Sequence, residues 1–135
     1  MAAVVKMESS KAFSELQDKV ICQVIETQQK VKLIGKQIEQ LNITKSCVYL
    51  TDIQIMALED DTNMYEGVRR MFVHQSKAVI HNQLQEKLKI MDEKIKELEQ
   101  KKAYLEQSIK EAEDNIREML MAQSSHSALS LYCRN

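Results

Sequence analysis

The sequence holds 135 residues with no proline, no tryptophan and two glycines, and 29% of it is charged. Four tyrosines and two phenylalanines are its only aromatic side chains, so the composition predicts long helices rather than a thick core. A net charge of −1 gives no electrostatic ground for nucleic acid or an anionic membrane as a partner.

The amino-terminal MAAVVKMESS has an apolar run too short for a secretory leader. No stretch approaches the roughly 20 apolar residues that span a bilayer. A first helix is then expected over about 8–43. Its apolar seam reads Phe13, Leu16, Val20, Val24, Thr27, Val31, Ile34, Ile38 and Leu41. The steps are of three and four residues, with a doubled four between Leu16 and Val24. Such a stutter locally unwinds a supercoil. Gly35 lies inside this helix at a cost of about 1 kcal/mol against alanine. Asn42-Ile43-Thr44 matches the glycosylation pattern, but without a leader it is read as chance.

Next, LTDIQIMALEDD predicts a separate short helix over about 51–60, with Thr51 or Asp52 as its cap. Glu59-Asp60-Asp61 reads as a solvated loop or helix end. In Asn63–Ser76 the charges thin out, and Met64–Val68 and Met71–His74 form two strand-like runs around Arg69-Arg70. That predicts a β-hairpin over about 63–75, although the turn lacks the Asn-Gly or Asp-Gly pair of tight hairpins.

A second helix is expected over about 77–122, roughly 68 Å long at ~1.5 Å per residue. Its seam is Leu84, Leu88, Met91, Ile95, Leu98, Lys102, Leu105, Ile109, Ala112, Ile116 and Met119, alternating four and three throughout. That is a coiled-coil repeat with mixed charges on its flanks. Beyond it, the serine-rich 123–135 segment reads as a disordered tail.

If the hairpin turns the chain back, the helices form an antiparallel intramolecular coiled coil. Pairing Leu41 near Ile80, Ile34 near Leu88 and Phe13 near Ile109 sets Val20, at the stutter, opposite Lys102. On that register Ile116, Met119, Leu120 and Met121 outrun the first helix, with only Met7, Val4 and Val5 to cover them. Methionine-rich apolar surface suits a site for many partners; the alternative is a fraying coiled-coil end. A lone hairpin is marginal in water and leaves open edges, so this one is expected to pair with hairpins of other chains.

At NMYEGV and RMFV, set between two coiled-coil helices, the chain resembles the β-class subunits of prefoldin. The flanks IETQQKVKL, QIEQLN, LTDIQIM, IKELEQKKAYLE and KEAEDNIREMLMA share the likeness, which covers most of Phe13–Ala122. The resemblance implies a cochaperone without ATPase activity. In it two α-class and four β-class subunits join through hairpins into a double-barrel base carrying six coiled-coil tentacles. Their tips hold unfolded actin, tubulin and other clients for delivery to the cytosolic chaperonin. Three departures from the pattern stand out. Arg69 occupies a position where the family usually has glycine, so arginine is strained there if the turn needs a positive φ. Ile21–Val24 looks like a four-residue addition. The segment from Gln123 onward matches nothing in the family.

No enzymatic constellation is present. Gly35-Lys36 lacks the rest of a phosphate loop. His74 reads as a strand decoration and His81 as a helix surface or seam residue, without metal-ligand spacing. Cys22, Cys47 and Cys133 are odd in number and far apart, which argues against a disulfide framework and for a reducing compartment, the cytosol or nucleus.

The sequence therefore predicts a mainly α protein whose two long helices are joined by a short helix and one β-hairpin. Its expected role is that of a cytoplasmic, non-enzymatic prefoldin subunit with no metal and no cofactor. Tyr65, Val68, Met71, Phe72 and Val73 are the expected assembly residues. Phe13, Leu16, Ile116, Met119, Leu120 and Met121 are the expected client contacts. The rival reading is a coiled-coil adaptor or tether for one folded partner, to which a strand pair at the bend would be of no use.

Overall fold

The computed structural model describes the backbone of residues 2–132 and the side chains of residues 10–125. Its elements are α1 (Ala2–Ala57), β1 (Met64–Val68), β2 (Met71–Gln75) and α2 (Lys77–Tyr132). Two long helices with an antiparallel two-stranded hairpin between them make the mainly α fold that the periodicity predicts. The chain divides into two compact units. One is Ile34–Gln100, and the other combines the stretches on either side of it.

In the unit Ile34–Gln100, α1 does not stop near residue 43. It runs through Asn42–Thr51 because the hydroxyls there bond within the helix. Thr44 Oγ1 donates to Gln40 O at 2.9 Å, Ser46 Oγ to Asn42 O at 3.0 Å, and Thr51 Oγ1 to Cys47 O at 2.8 Å. Side chains that usually compete with helical backbone are thus satisfied by it. The separate short helix expected over 51–60 is instead the end of α1, and Asp52 lies inside the helix rather than capping it.

That extension changes the pairing register. Asp52 is 7% exposed in the seam. His81 Nδ1–H donates to its Oδ1 at 2.6 Å and Gln85 Nε2 to its Oδ2 at 3.0 Å. One heptad earlier on α1, Lys45 Nζ pairs with Asp92. As α1 advances its partners on α2 recede, so the helices are antiparallel. Asp52 takes the place expected for Leu41 at the start of α2, and Ile80 lies beside Ile55 and Leu58. The expected register placed α1's end too early and so paired the wrong turns.

The last turn of α1 has no basic residue of its own. Lys77, the first residue of α2, supplies the cation. Its Nζ donates to Met56 O at 3.3 Å, Leu58 O at 2.8 Å and Asp60 Oδ1 at 3.1 Å. A lysine has three such donors, and here they meet the exposed carbonyls and negative end of a helix. Ile80 N donates to Ser76 O at 3.1 Å, which makes Ser76 the residue that opens α2.

In the other unit the α1 seam is Phe13, Gln17, Val20, Val24, Thr27 and Val31, all half-buried. Leu16, the expected seam residue, is exposed. With Gln17 in its place the steps alternate four and three without a break, so there is no stutter. Val20 shares a groove with Ala112 and Ile116 rather than facing Lys102. Lys102 reaches Glu106 on its own helix at 3.9 Å. Phe13 lies by Ile116 and Met119, while Ile109 lies by Val24 and Thr27.

The 123–135 segment, expected to be disordered, continues α2 as far as Tyr132. Ser124 Oγ and Ser125 Oγ donate to Met121 O and Ala122 O at 2.9 and 2.8 Å. Extending an existing helix costs far less than nucleating one. Cys133 and the residues after it lie outside the described residues, as do the side chains of Val4, Val5 and Met7.

Two stability changes follow. Asp52→Ala strands the donors of His81 and Gln85 in the seam and is expected to lower unfolding free energy by about 1–3 kcal/mol in denaturant titration. A Cβ added at Gly35 meets nothing within 4 Å. Gly35→Ala is therefore expected to raise stability by up to about 1 kcal/mol in the same titration.

Candidate functional site

The hairpin pairs Met64 with Gln75, Tyr65 with His74, Glu66 with Val73, Gly67 with Phe72 and Val68 with Met71. Arg69 and Arg70 are therefore a two-residue turn. Arg69 has φ 56°, and it is the only non-glycine residue with positive φ among those described. A positive φ at the first central position alone points to the turn type whose first place favours glycine. An L side chain there costs on the order of 1–2 kcal/mol. The departure noted at Arg69 thus falls at a strained position.

Side chains alternate across the strands. Tyr65 and His74 meet edge to face, with centroids 5.5 Å apart and planes at 75°. Beside them Phe72 covers Gly67, where an added Cβ would stand 3.6 Å from the ring. The opposite face carries Met64, Glu66, Val68, Met71 and Val73. Met64, 8% exposed, anchors the hairpin to its unit. The rest of the apolar set stays in solvent: Tyr65, Val68, Met71, Phe72 and Val73 are all exposed, with Phe72 at 79%. The five residues expected to serve assembly are thus gathered on ten residues of strand, on both faces, uncovered by their own chain.

The expected client residues divide. Phe13, Ile116, Met119 and Leu120 line one groove of about 350 Å³ together with Gln17 and Val20. Leu16 and Met121 do not line it and lie exposed on the surface. Leu16 is displaced because Gln17 occupies the seam.

Sequence reasoning missed the Asp52–His81–Gln85 cluster and the bonds of Lys77. A helix without a basic last turn followed by a lysine at the next helix start was the available signal for Lys77. For Asp52, one sequence offered none.

A family model described as "Prefoldin subunit" matches residues 14–123 and so runs through both units and the hairpin. The chain belongs to the prefoldin subunit family. It is 69% identical over 123 residues to prefoldin subunit 1 of Bos taurus, covering 91% of this chain and 98% of that one. Against prefoldin subunit 1 of Arabidopsis thaliana the identity is 30% over 112 residues, covering 83% and 84%. Among solved structures, the prefoldin beta subunit from Thermococcus strain KS-1 superposes with a TM-score of 0.72. That match covers 77% of this chain and 91% of the other at 22% identity, and it shows a shared fold. As a prefoldin subunit the chain is a component of the prefoldin complex, a chaperone assembly. No helix among the described residues is long and apolar enough to cross a membrane.

The turn yields a test. Arg69→Gly should relieve the left-handed strain and stabilise the chain by about 0.5–1 kcal/mol, after glycine's own entropic cost. Arg69→Ala removes the same charge but keeps a Cβ at positive φ, so it should leave stability unimproved. Equal gains from both variants would assign the effect to charge instead.

Proposed function

We propose that this chain is a non-enzymatic subunit of a heterohexameric prefoldin cochaperone. In this reading it joins α-class and β-class neighbours through its hairpin and holds unfolded proteins at the far ends of its helix pair. Clients such as unfolded actin and tubulin are passed to the cytosolic chaperonin without nucleotide hydrolysis. The work takes place in the cytoplasm or nucleus.

The observation that carries the reading is the uncovered hairpin. Tyr65, Val68, Met71, Phe72 and Val73 expose apolar surface on both faces of a two-stranded sheet. Such a sheet is marginal in water and open at its edges. Partner strands would cover both faces and pair both edges, which an adaptor bound to one folded partner would have no reason to require. Membership in the prefoldin subunit family supports the same conclusion.

Client capture draws on the groove of Phe13, Ile116, Met119 and Leu120, with exposed Leu16 and Met121 nearby in sequence. Its apolar wall includes Met119, a flexible side chain able to fit varied segments, beside polar Gln17 and Asn115. Each contact is weak. Several such ends on one hexamer raise the effective concentration of sites for a client held at any one of them.

Native mass spectrometry of this chain co-expressed with the other five prefoldin subunits tests the assembly claim. A hexamer with one copy of this chain is expected. Phe72→Ser should deplete it while leaving helical circular dichroism unchanged, and a wild-type chain absent from the hexamer would overturn the reading. A paired Phe13→Ser, Met119→Ser variant should assemble normally yet lose suppression of aggregation of several unrelated unfolded proteins. Full suppression by that variant would remove the groove from the client site.

A further inference from the structure

We infer that the groove running along β1 is a side-chain pocket that selects which neighbouring prefoldin subunit lays a strand against that edge. The inference rests on the assembly reading above and names the residues that discriminate between partners.

A cavity of about 420 Å³ lies within the unit Ile34–Gln100. Its apolar wall is Ile55 from the last turn of α1 and Leu58 just beyond it, Ile80 and Leu84 from the start of α2, and Met64 from β1. Four consecutive strand residues line it, Met64 to Gly67, and none comes from β2. Successive strand residues point to opposite faces. A cavity that touches four in a row therefore follows the edge of β1 rather than lying under one face.

That edge is the one β2 does not occupy, and it offers unpaired backbone donors and acceptors to an incoming strand. Strand addition draws its affinity from main-chain bonds and its specificity from pockets that take alternate side chains. Here the pocket has an apolar floor, with Met64 buried, and a polar rim of Thr51, Glu66, Gln83 and Lys87. Its occupant is a hairpin strand of another prefoldin subunit carrying a large apolar residue between polar ones. The pocket is continuous with the exposed assembly residues through Tyr65, which belongs to both. A strand that pairs with β1 as part of the assembly must therefore present a side chain to it.

The test uses the full chain co-expressed with the other five subunits. A photo-crosslinking residue at exposed Leu58 or Lys87 should capture a strand residue of another subunit. Crosslinks confined to this chain, or reaching only helices of its neighbours, would overturn the inference. Gln83→Trp fills the groove from its rim and should lower incorporation about tenfold or more in competition with the unmodified chain, as loss of an anchor pocket does. Incorporation at the unmodified level would also overturn it, and should the tryptophan variant fail to fold, the crosslinks decide. Phe72→Ser separates the two claims. If it blocks assembly while the groove probes report nothing, the hairpin reading stands without the pocket; if it too has no effect, the assembly reading falls.

Discussion

A carboxylate buried in a helix seam must find donors there, because an unpaired one costs more than any hydrophobic layer returns. Asp52 finds two, the imidazole of His81 and the amide of Gln85, both from the start of α2. The observed register presents both donors to the carboxylate at once, one on each of its oxygens. The register of the unit Ile34–Gln100 depends on this cluster. Once it is set, Lys77 reaches the last carbonyls of α1 and the Asp60 carboxylate, so the first residue of one helix closes the end of the other. The hairpin sits between these two fixed ends. Polar atoms thus specify the geometry, which suits a unit with a thin apolar core: Met64 and Ile95 are its buried apolar side chains among the described residues.

The hairpin is then held at its base and left bare beyond it. Met64 is buried, and each large apolar residue after it along the strands is exposed. A chain selected to work alone would cover or charge such strands. This one places Arg69 and Arg70 at the turn and leaves large apolar side chains exposed on both faces. The surface makes physical sense as half of an interface, consistent with a subunit of the prefoldin complex.

The repeat of α2 was legible as far as Ile116, because ten of its eleven proposed seam residues, Leu84 to Ile116, are half-buried or buried in the structure, and the eleventh, Met119, is exposed. The hairpin and its two-residue turn were legible from the thinning of charge and the β-branched run. Arg69 was legible as an oddity, and its φ gives the reason. Elsewhere the apolar rule misled. It chose Leu16 over Gln17, since nothing in a single sequence says that a seam will accept an amide while a leucine beside it faces water. It broke α1 at the Asn-, Thr- and Ser-rich turns, whose hydroxyls in fact bond back to the helix. It could not place Asp52, whose burial depends on two side chains about thirty residues away along the chain. Register is a long-range property, and one misplaced helix end shifts every pair. The expected match of a stutter with Lys102 came from that shift together with the choice of Leu16 over Gln17.

The central claim is that the hairpin is completed by other subunits. Amide hydrogen exchange across Met64–Gln75 tests it most directly, measured in the free chain and in the assembled hexamer. Exchange in the free chain should be fast at the outer-edge amides of both strands and should slow by orders of magnitude on assembly, while the α1 and α2 seam changes little. Equal protection in the two states would mean that the hairpin gains no partner strands, and the account would fail at its foundation.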